Sequence, residues 1–328
     1  MMKLKYYEID EKRLLEEAKG KKVAIKLPEG FIPYAKKILD FLEENGINAF
    51  LLAESCYGAC DFVSYEGIEK IICIGETEMP YLRRKYKPEV AFIEAKYDFD
   101  VSFLNGAFKY LGKNVGLATI TPYAHKLKDC KEYLERNGYK VFIGKKSRRT
   151  AHDGQILGCD FSSATSISNY VDSFLFIGDG FFHPVGLYLA SKKNVVVANP
   201  IEKRIYADEI KKEANKILKK RYAVIAKAMD AEKFGIIVSR KIGQKRLELA
   251  RRLKKLIEEK GKKAYLIVLN DVDEKIDYME FDCYISTACP RVAIDDMDKY
   301  KKPILTPIEL EILLNERKWE NYEFDQIL

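Results

Sequence analysis

Seven cysteines stand in the 328 residues, an odd count at irregular spacing. That argues against a disulfide framework and leaves metal binding, catalysis or simple burial. Three of them sit in punctuating segments: Cys60 in ESCYGACD, Cys159 in AHDGQILGCDFSSA and Cys289 in ISTACPRVAIDD. Their neighbours Gly58, Ala59, Gly158, Ala288 and Pro290 are small or turn-forming, which lets backbone approach a ligand closely. Cys73 inside IICIG, Cys130 on an amphipathic stretch and Cys283 inside an apolar run read as small core residues. Cys56, shortly before Cys60, is an alternative ligand. Zinc usually takes closely paired ligands such as CxxC couples, and none occurs. A CxxxCxxC run fails as well, because Cys56 and Cys60 are followed by Val63 at the third position. Three thiolates with one open coordination position suit a [4Fe–4S] cluster whose fourth iron is accessible to substrate.

Such distant cysteines meet only if the fold brings them together, and an internal repeat offers the means. The segments 21–55, 113–147 and 233–269 each read as an apolar run, a polar turn, an amphipathic stretch and a second apolar run. Ile38, Leu39 and Leu42, like Leu127, Cys130 and Leu134, recur at helical spacing. Gly46, Gly138 and Gly261 fall where a helix-ending glycine belongs. Each copy is therefore predicted to be β-α-β. Two further strands follow in each: IICIG and VAFIEA, FLFIGDG and VVVANP, DCYISTA and PILTPIE. The expected fold is α/β, three pseudo-symmetric domains over 1–110, 111–230 and 231–328, each a small, mainly parallel four-stranded sheet flanked by helices. Open sheets of this kind bind ligands at the carboxyl ends of their strands, and a pseudo-threefold arrangement directs those ends at a common centre.

Composition frames the partners. Hydrophobic residues make up 47% and charged residues 33%, a globular balance. The first residues, MMKLKYYEIDEKRLLEEAKGKK, do not resemble a signal peptide, and no apolar run reaches the roughly 18 residues of a membrane span. A cytoplasmic protein without membrane contact is expected. The net charge of +7 is mild and mostly mixed along helices, so no direct nucleic-acid binding is expected. The one basic knot, KKSRRT at Lys145–Thr150, reads as a solvated loop or a contact for an acidic partner.

CYGACD at 56–61, LGCDFSSA at 157–164, IGDGFFHP at 177–184 and STACPRVAIDD at 286–296 resemble the diphthamide-synthesis radical enzyme family, in its archaeal form. The resemblance spans nearly the whole chain. It implies a [4Fe–4S] cluster on Cys60, Cys159 and Cys289, with S-adenosylmethionine docked at the open iron. It further implies cleavage between sulfur and the γ-carbon, transfer of the 3-amino-3-carboxypropyl group to a histidine of translation elongation factor 2, and release of methylthioadenosine. An electron donor and a homodimer are implied too, with the C-terminal PIELEILLNERKW either contributing to the dimer or packing as an ordinary last helix.

Other residues suit that chemistry. Glu29 and Gly30 in LPEG follow a strand and precede a helix expected to begin near Pro33, where backbone N–H groups can bind an anion. Arg291 can pair bidentately with the methionyl carboxylate. Asp179, Gly180 and His183 end a strand on the same face and suit ribose hydroxyls or proton movement. His125 and His152 read as structural, and Asp61 and Asp160 as holders of loop amides. Three alternatives stay open: a quinolinate synthase-like iron–sulfur enzyme, a non-catalytic supporting subunit, and a metal-free three-domain binding protein.

Overall fold

The structure, a computed structural model, describes residues 1–328 apart from Ser55, Tyr57, Val63, Ser64 and Arg84. Three parallel sheets dominate it. The first runs Ala49–Leu52, Val23–Lys26, Lys70–Ile74, Glu89–Ile93, all parallel. The second runs Asn194–Asn199, Ser173–Ile177, Asn114–Thr119, Lys140–Ile143, with Arg204–Tyr206 added antiparallel at its edge. The third runs Lys263–Leu269, Lys233–Ser239, Cys283–Ser286, Ile304–Leu305. Central strands such as Lys70–Ile74 and Ser173–Ile177 are buried along their whole length, as helices on both faces require.

In every sheet the first strand lies between the second and the third, so the winding reverses between the first and third strands. The crevice that opens at such a reversal is where loops diverge and ligands bind. The helices that follow the first strands are Ala35–Glu44, Leu127–Arg136 and Leu247–Glu259. They bury Ile38 and Leu42, Leu127, Cys130 and Leu134, and Leu253 and Ile257. Gly46, Gly138 and Gly261 end them at φ of 75°, 86° and 76°, a left-handed turn that L side chains adopt only with strain.

Several local expectations shift. A 3-10 helix, Glu29–Tyr34, contains Pro33, and the α-helix starts only at Ala35. Most of PILTPIE is not strand: Thr306 caps a helix over Pro307–Leu313, exchanging hydrogen bonds with Glu309. That helix packs into the third core, with Pro307, Glu309 and Leu310 buried. The N-terminus adds a small antiparallel sheet of Met2–Leu4, Tyr7–Ile9 and Ala95–Lys96.

The three units are laced together across their expected edges. The 3-10 helix Val101–Tyr110 belongs to the second core through Leu104 and Ala107. The long helix Asp208–Lys227 buries Ile210 and Ala214 in the second core and Ile225 in the third. From its middle, fully buried Arg221 meets Glu309 with two bonds of 2.7 and 2.6 Å and reaches the carbonyls of Ala293 and Ile304. The tail then returns to the second unit, where Phe324 is buried. No helix among the described residues is long and apolar enough to cross a membrane.

Candidate functional site

The carboxyl edges of the three sheets line one cavity of about 440 Å³. Cys60, Cys159 and Cys289 all face it, and each is buried. Burial, followed by the charges of Cys159 and Cys289, pushes the Cys60 thiol well above its ordinary range. Cys289 is pushed up to about 12 by burial and by Cys159. In Cys159 the same upward push of burial is opposed by Arg149. Three thiols that feel one another and resist ionising side by side form a site that a cationic group completes, by displacing their protons.

No three His, Cys, Asp or Glu side chains among the described residues are arranged to share one metal ion. Thiolates on a single tetrahedral ion stand about 3.8 Å apart. Ligands of a polynuclear cluster stand wider, each on its own metal, and three thiols that come from separate loops and feel one another's charge suit such a cluster. Soft thiolates favour iron–sulfur chemistry.

The unit-three loop after Lys233–Ser239 brings the first two cysteines together. Gly243 N–H donates to the Cys60 carbonyl at 3.1 Å, and the Gly243 carbonyl accepts from Arg149 at 3.0 Å. A Cβ on Gly243 would stand 2.5 Å from Cys60 Cα, so only glycine fits. Gln244 Nε2 reaches Cys60 Sγ at 3.4 Å, and Arg149 reaches Cys159 Sγ at 3.6 Å. Donors to ligand sulfurs tune a cluster's potential. Arg149 also stacks over Tyr81 and donates to its hydroxyl, yet its buried Nε has no partner among the described residues. A leftover buried donor beside thiols fits a site built for an anionic group.

The cysteine loops are clamped from behind. Buried Lys26 and Lys241 hold Asp61, with Lys26 donating to its carbonyl at 2.6 Å and Lys241 to its carboxylate at 2.9 Å. Asp160 accepts from the Ser162 amide and from Ser147. The tail straps the other two loops: Arg246 donates to the carbonyls of Thr287 and Ala288 and clasps Asp325 at 2.9 and 2.7 Å. Ile327 N–H then donates to the Cys159 carbonyl at 2.8 Å.

Of the other residues that the sequence marks as candidates, Glu29, Gly30, Asp179, His183 and Arg291 line the cavity, whereas Gly180 stands beside it outside the lining. Arg291 pairs with Asp295 at 2.9 Å and lies over the Phe182 ring. Burial, helped by Arg291, pulls His183 down to about 4, so it is neutral at physiological pH. Asp179 accepts from the Tyr123 hydroxyl at 3.1 Å. Cys56 also faces the cavity, but its free thiol shares a hydrogen bond with that of Cys73. His152 binds Glu94, and neither it nor His125 lines the cavity. Tyr57 of CYGACD lies outside the described residues.

Several site residues escape a reading of the sequence, Arg149 and Glu76 among them. The basic knot Lys145–Thr150 is not uniformly solvated: Lys145 and Lys146 are exposed, but Arg149 is 2% exposed and enters the site. Glu76 follows a central strand in the first unit as Asp179 does in the second, in Ile74-Gly75-Glu76 and Ile177-Gly178-Asp179. Aligning those two repeats would have marked it.

A family model described as "Putative diphthamide synthesis protein" matches residues 27–324. The chain is 41% identical to 2-(3-amino-3-carboxypropyl)histidine synthase of Pyrococcus horikoshii, over 98% of this chain and 94% of that one. It is 30% identical to the protein of that name from Methanocaldococcus jannaschii, over 93% and 87%. The crystal structure of Dph2 from Pyrococcus horikoshii with 4Fe-4S cluster superposes with a TM-score of 0.85 at 40% identity, covering 98% of this chain and 94% of that one. By sequence and by fold alike, this chain belongs to the diphthamide synthesis protein family.

Proposed function

We propose that the chain carries out the first step of diphthamide biosynthesis, as a 2-(3-amino-3-carboxypropyl)histidine synthase. It transfers the 3-amino-3-carboxypropyl group of S-adenosylmethionine to a histidine of translation elongation factor 2, working in the cytoplasm as a homodimer with an external electron donor. The observation that carries this reading is the convergence of Cys60, Cys159 and Cys289 from three sheets on one cavity lined by Arg291 and His183. In this reading the three thiolates hold a [4Fe–4S] cluster. When bound, that cluster supplies the electron for reductive, radical cleavage of the sulfur–γ-carbon bond.

The chain's own residues do the rest. Arg291 meets the methionyl carboxylate, with Asp295 fixing its guanidinium. Glu29, exposed at the rim, meets the substrate ammonium, and Gly30 leaves room beside it. Asp179, held by Tyr123, takes the ribose hydroxyls. Neutral His183, stacked on Phe176, walls the reacting carbon from water and can exchange a proton. Arg149 and Gln244 donate to the ligand sulfurs.

The test is anaerobic. Protein reduced with dithionite and given S-adenosylmethionine is expected to release methylthioadenosine, and Cys60→Ala, Cys159→Ala and Cys289→Ala to release none. Release of 5′-deoxyadenosine instead, or no cleavage by the wild type, contradicts the reading.

A further inference from the structure

The cavity over the cysteines does not stand alone. A second chamber of about 220 Å³ continues it toward Tyr7, Phe31, Thr121 and Pro122. The two share Pro28, Gly30, Glu76, Leu157, Asp179 and His183. Glu76 thus stands at the junction, where a substrate on one side can meet a substrate on the other.

Its surroundings single it out among the acids and bases of the cavity. Glu29 is exposed at the rim, within the field of Arg291. Asp179 is engaged by Tyr123, and His183, facing Arg291, is too weak a base to hold a proton near neutrality. Glu76 makes no hydrogen bond or ion pair among the described residues. The backbone of the Cys60 loop passes directly over it: a Cβ on Gly58 would stand 3.7 Å from Glu76 Oε1. Gly75, at φ of 96°, packs its backbone against the Phe31 ring and fixes the turn that delivers the carboxylate. Burial alone, with no neighbouring cation, brings Glu76 up to about 7. A half-buried carboxylate without a partner is costly to keep unless it has work to do.

We propose that Glu76 is the catalytic base that removes the ring proton of the target histidine. The inference rests on the transferase reading above and names a residue for its last step. The 3-amino-3-carboxypropyl radical forms a carbon–carbon bond to an imidazole ring carbon. The ring becomes aromatic again when that carbon's C–H bond breaks. The proton goes to the Glu76 carboxylate, and the single electron goes to a one-electron acceptor of the oxidised iron–sulfur class, equal to the one spent in cleavage. In sum, a sulfonium and an imidazole C–H give the alkylated imidazole, a thioether and one proton, with no net redox change. The second chamber, with Tyr7, Thr121 and Pro122, takes the imidazole-bearing tip of the protein substrate.

The experiment compares wild type, Glu76→Gln and Glu76→Asp, each reconstituted with its cluster and supplied with S-adenosylmethionine and elongation factor 2. Methylthioadenosine and alkylated histidine are both quantified. Wild type should give nearly one modified histidine per methylthioadenosine. Glu76→Gln should keep methylthioadenosine release within about threefold, lose modified histidine at least tenfold, and build up an organic radical signal near g = 2 in frozen samples. Glu76→Asp should restore part of the coupling. A coupling ratio unchanged in Glu76→Gln overturns the assignment. So does loss of methylthioadenosine together with product, in both variants, which makes Glu76 a binding or structural residue. Failure of the wild type to release methylthioadenosine defeats the transferase reading itself.

Discussion

At the scale of single residues, the site is a contrast between groups that are satisfied and groups that are not. Asp61, Asp160 and Arg246 make their full set of bonds inside the protein and hold loops. Glu76 and Arg149 Nε do not, and both line the cavity. This has a measurable cost for Glu76. Its folded pKa, about 7 against 4.5, means the folded state binds the proton more tightly. The associated stability is therefore complete below pH 4.5 and lost as pH rises through 7, by about 3 kcal/mol at most. The cluster-free Glu76→Gln variant should match wild type in melting temperature near pH 4 and exceed it by several degrees at pH 8. A difference that does not grow with pH contradicts the burial account. Arg149 acts through charge. Replacing it with Gln removes a cation beside Cys159 and disfavours the added electron, so the cluster potential should fall by on the order of 60 mV, read by redox titration. An unchanged potential contradicts that role.

At the scale of elements, the site depends on which loops the fold sends to the centre. Hydrophobic periodicity, β-rich runs and capping glycines expose the repeat directly, because they are local physics. The three cysteine segments were legible for the same reason: small residues around a polarisable side chain mark a close approach. The loop Arg240–Arg246 carries no comparable signal. Lys241, Gly243 and Gln244 matter only because unit three lies against unit one, a relation between residues far apart in sequence. Arg149 was hidden likewise, inside a run whose other cations are solvated. Gly243→Ala tests the contact. Its added Cβ would stand 2.5 Å from Cys60 Cα, so one loop must retreat. The variant should fold, with a melting temperature lowered by several degrees, and reconstitute less than half the wild-type iron. Full iron loading shows the contact to be dispensable.

At the scale of the whole molecule, three units that each fold around their own core must hold one shared centre. The helix Asp208–Lys227, the Arg221–Glu309 pair and the returning tail supply the rigidity, through contacts that no periodicity reveals. Removing one partner of a fully buried pair costs about 3–5 kcal/mol. The outer edge of the third sheet shows the opposite character. Among the described residues, strand Lys263–Leu269 has no neighbour on one side, and it exposes Tyr265, Leu266 and Val268. An apolar edge of that kind invites pairing with a second chain, which supports the proposed homodimer. Val268→Lys should shift the molecular mass seen by light scattering toward the monomer without lowering the melting temperature, and an unchanged dimer would place the interface elsewhere.

The proposed chemistry requires one polynuclear centre hung from three cysteines in three units. Mössbauer spectroscopy of ⁵⁷Fe-reconstituted protein tests it most directly, on wild type and on seven single Cys→Ala variants. Wild type should give one [4Fe–4S] spectrum per chain, retained when Cys56, Cys73, Cys130 or Cys283 is replaced and lost with Cys60, Cys159 or Cys289. A full cluster persisting in any of those three, or lost with Cys56 while the variant still folds, would contradict it.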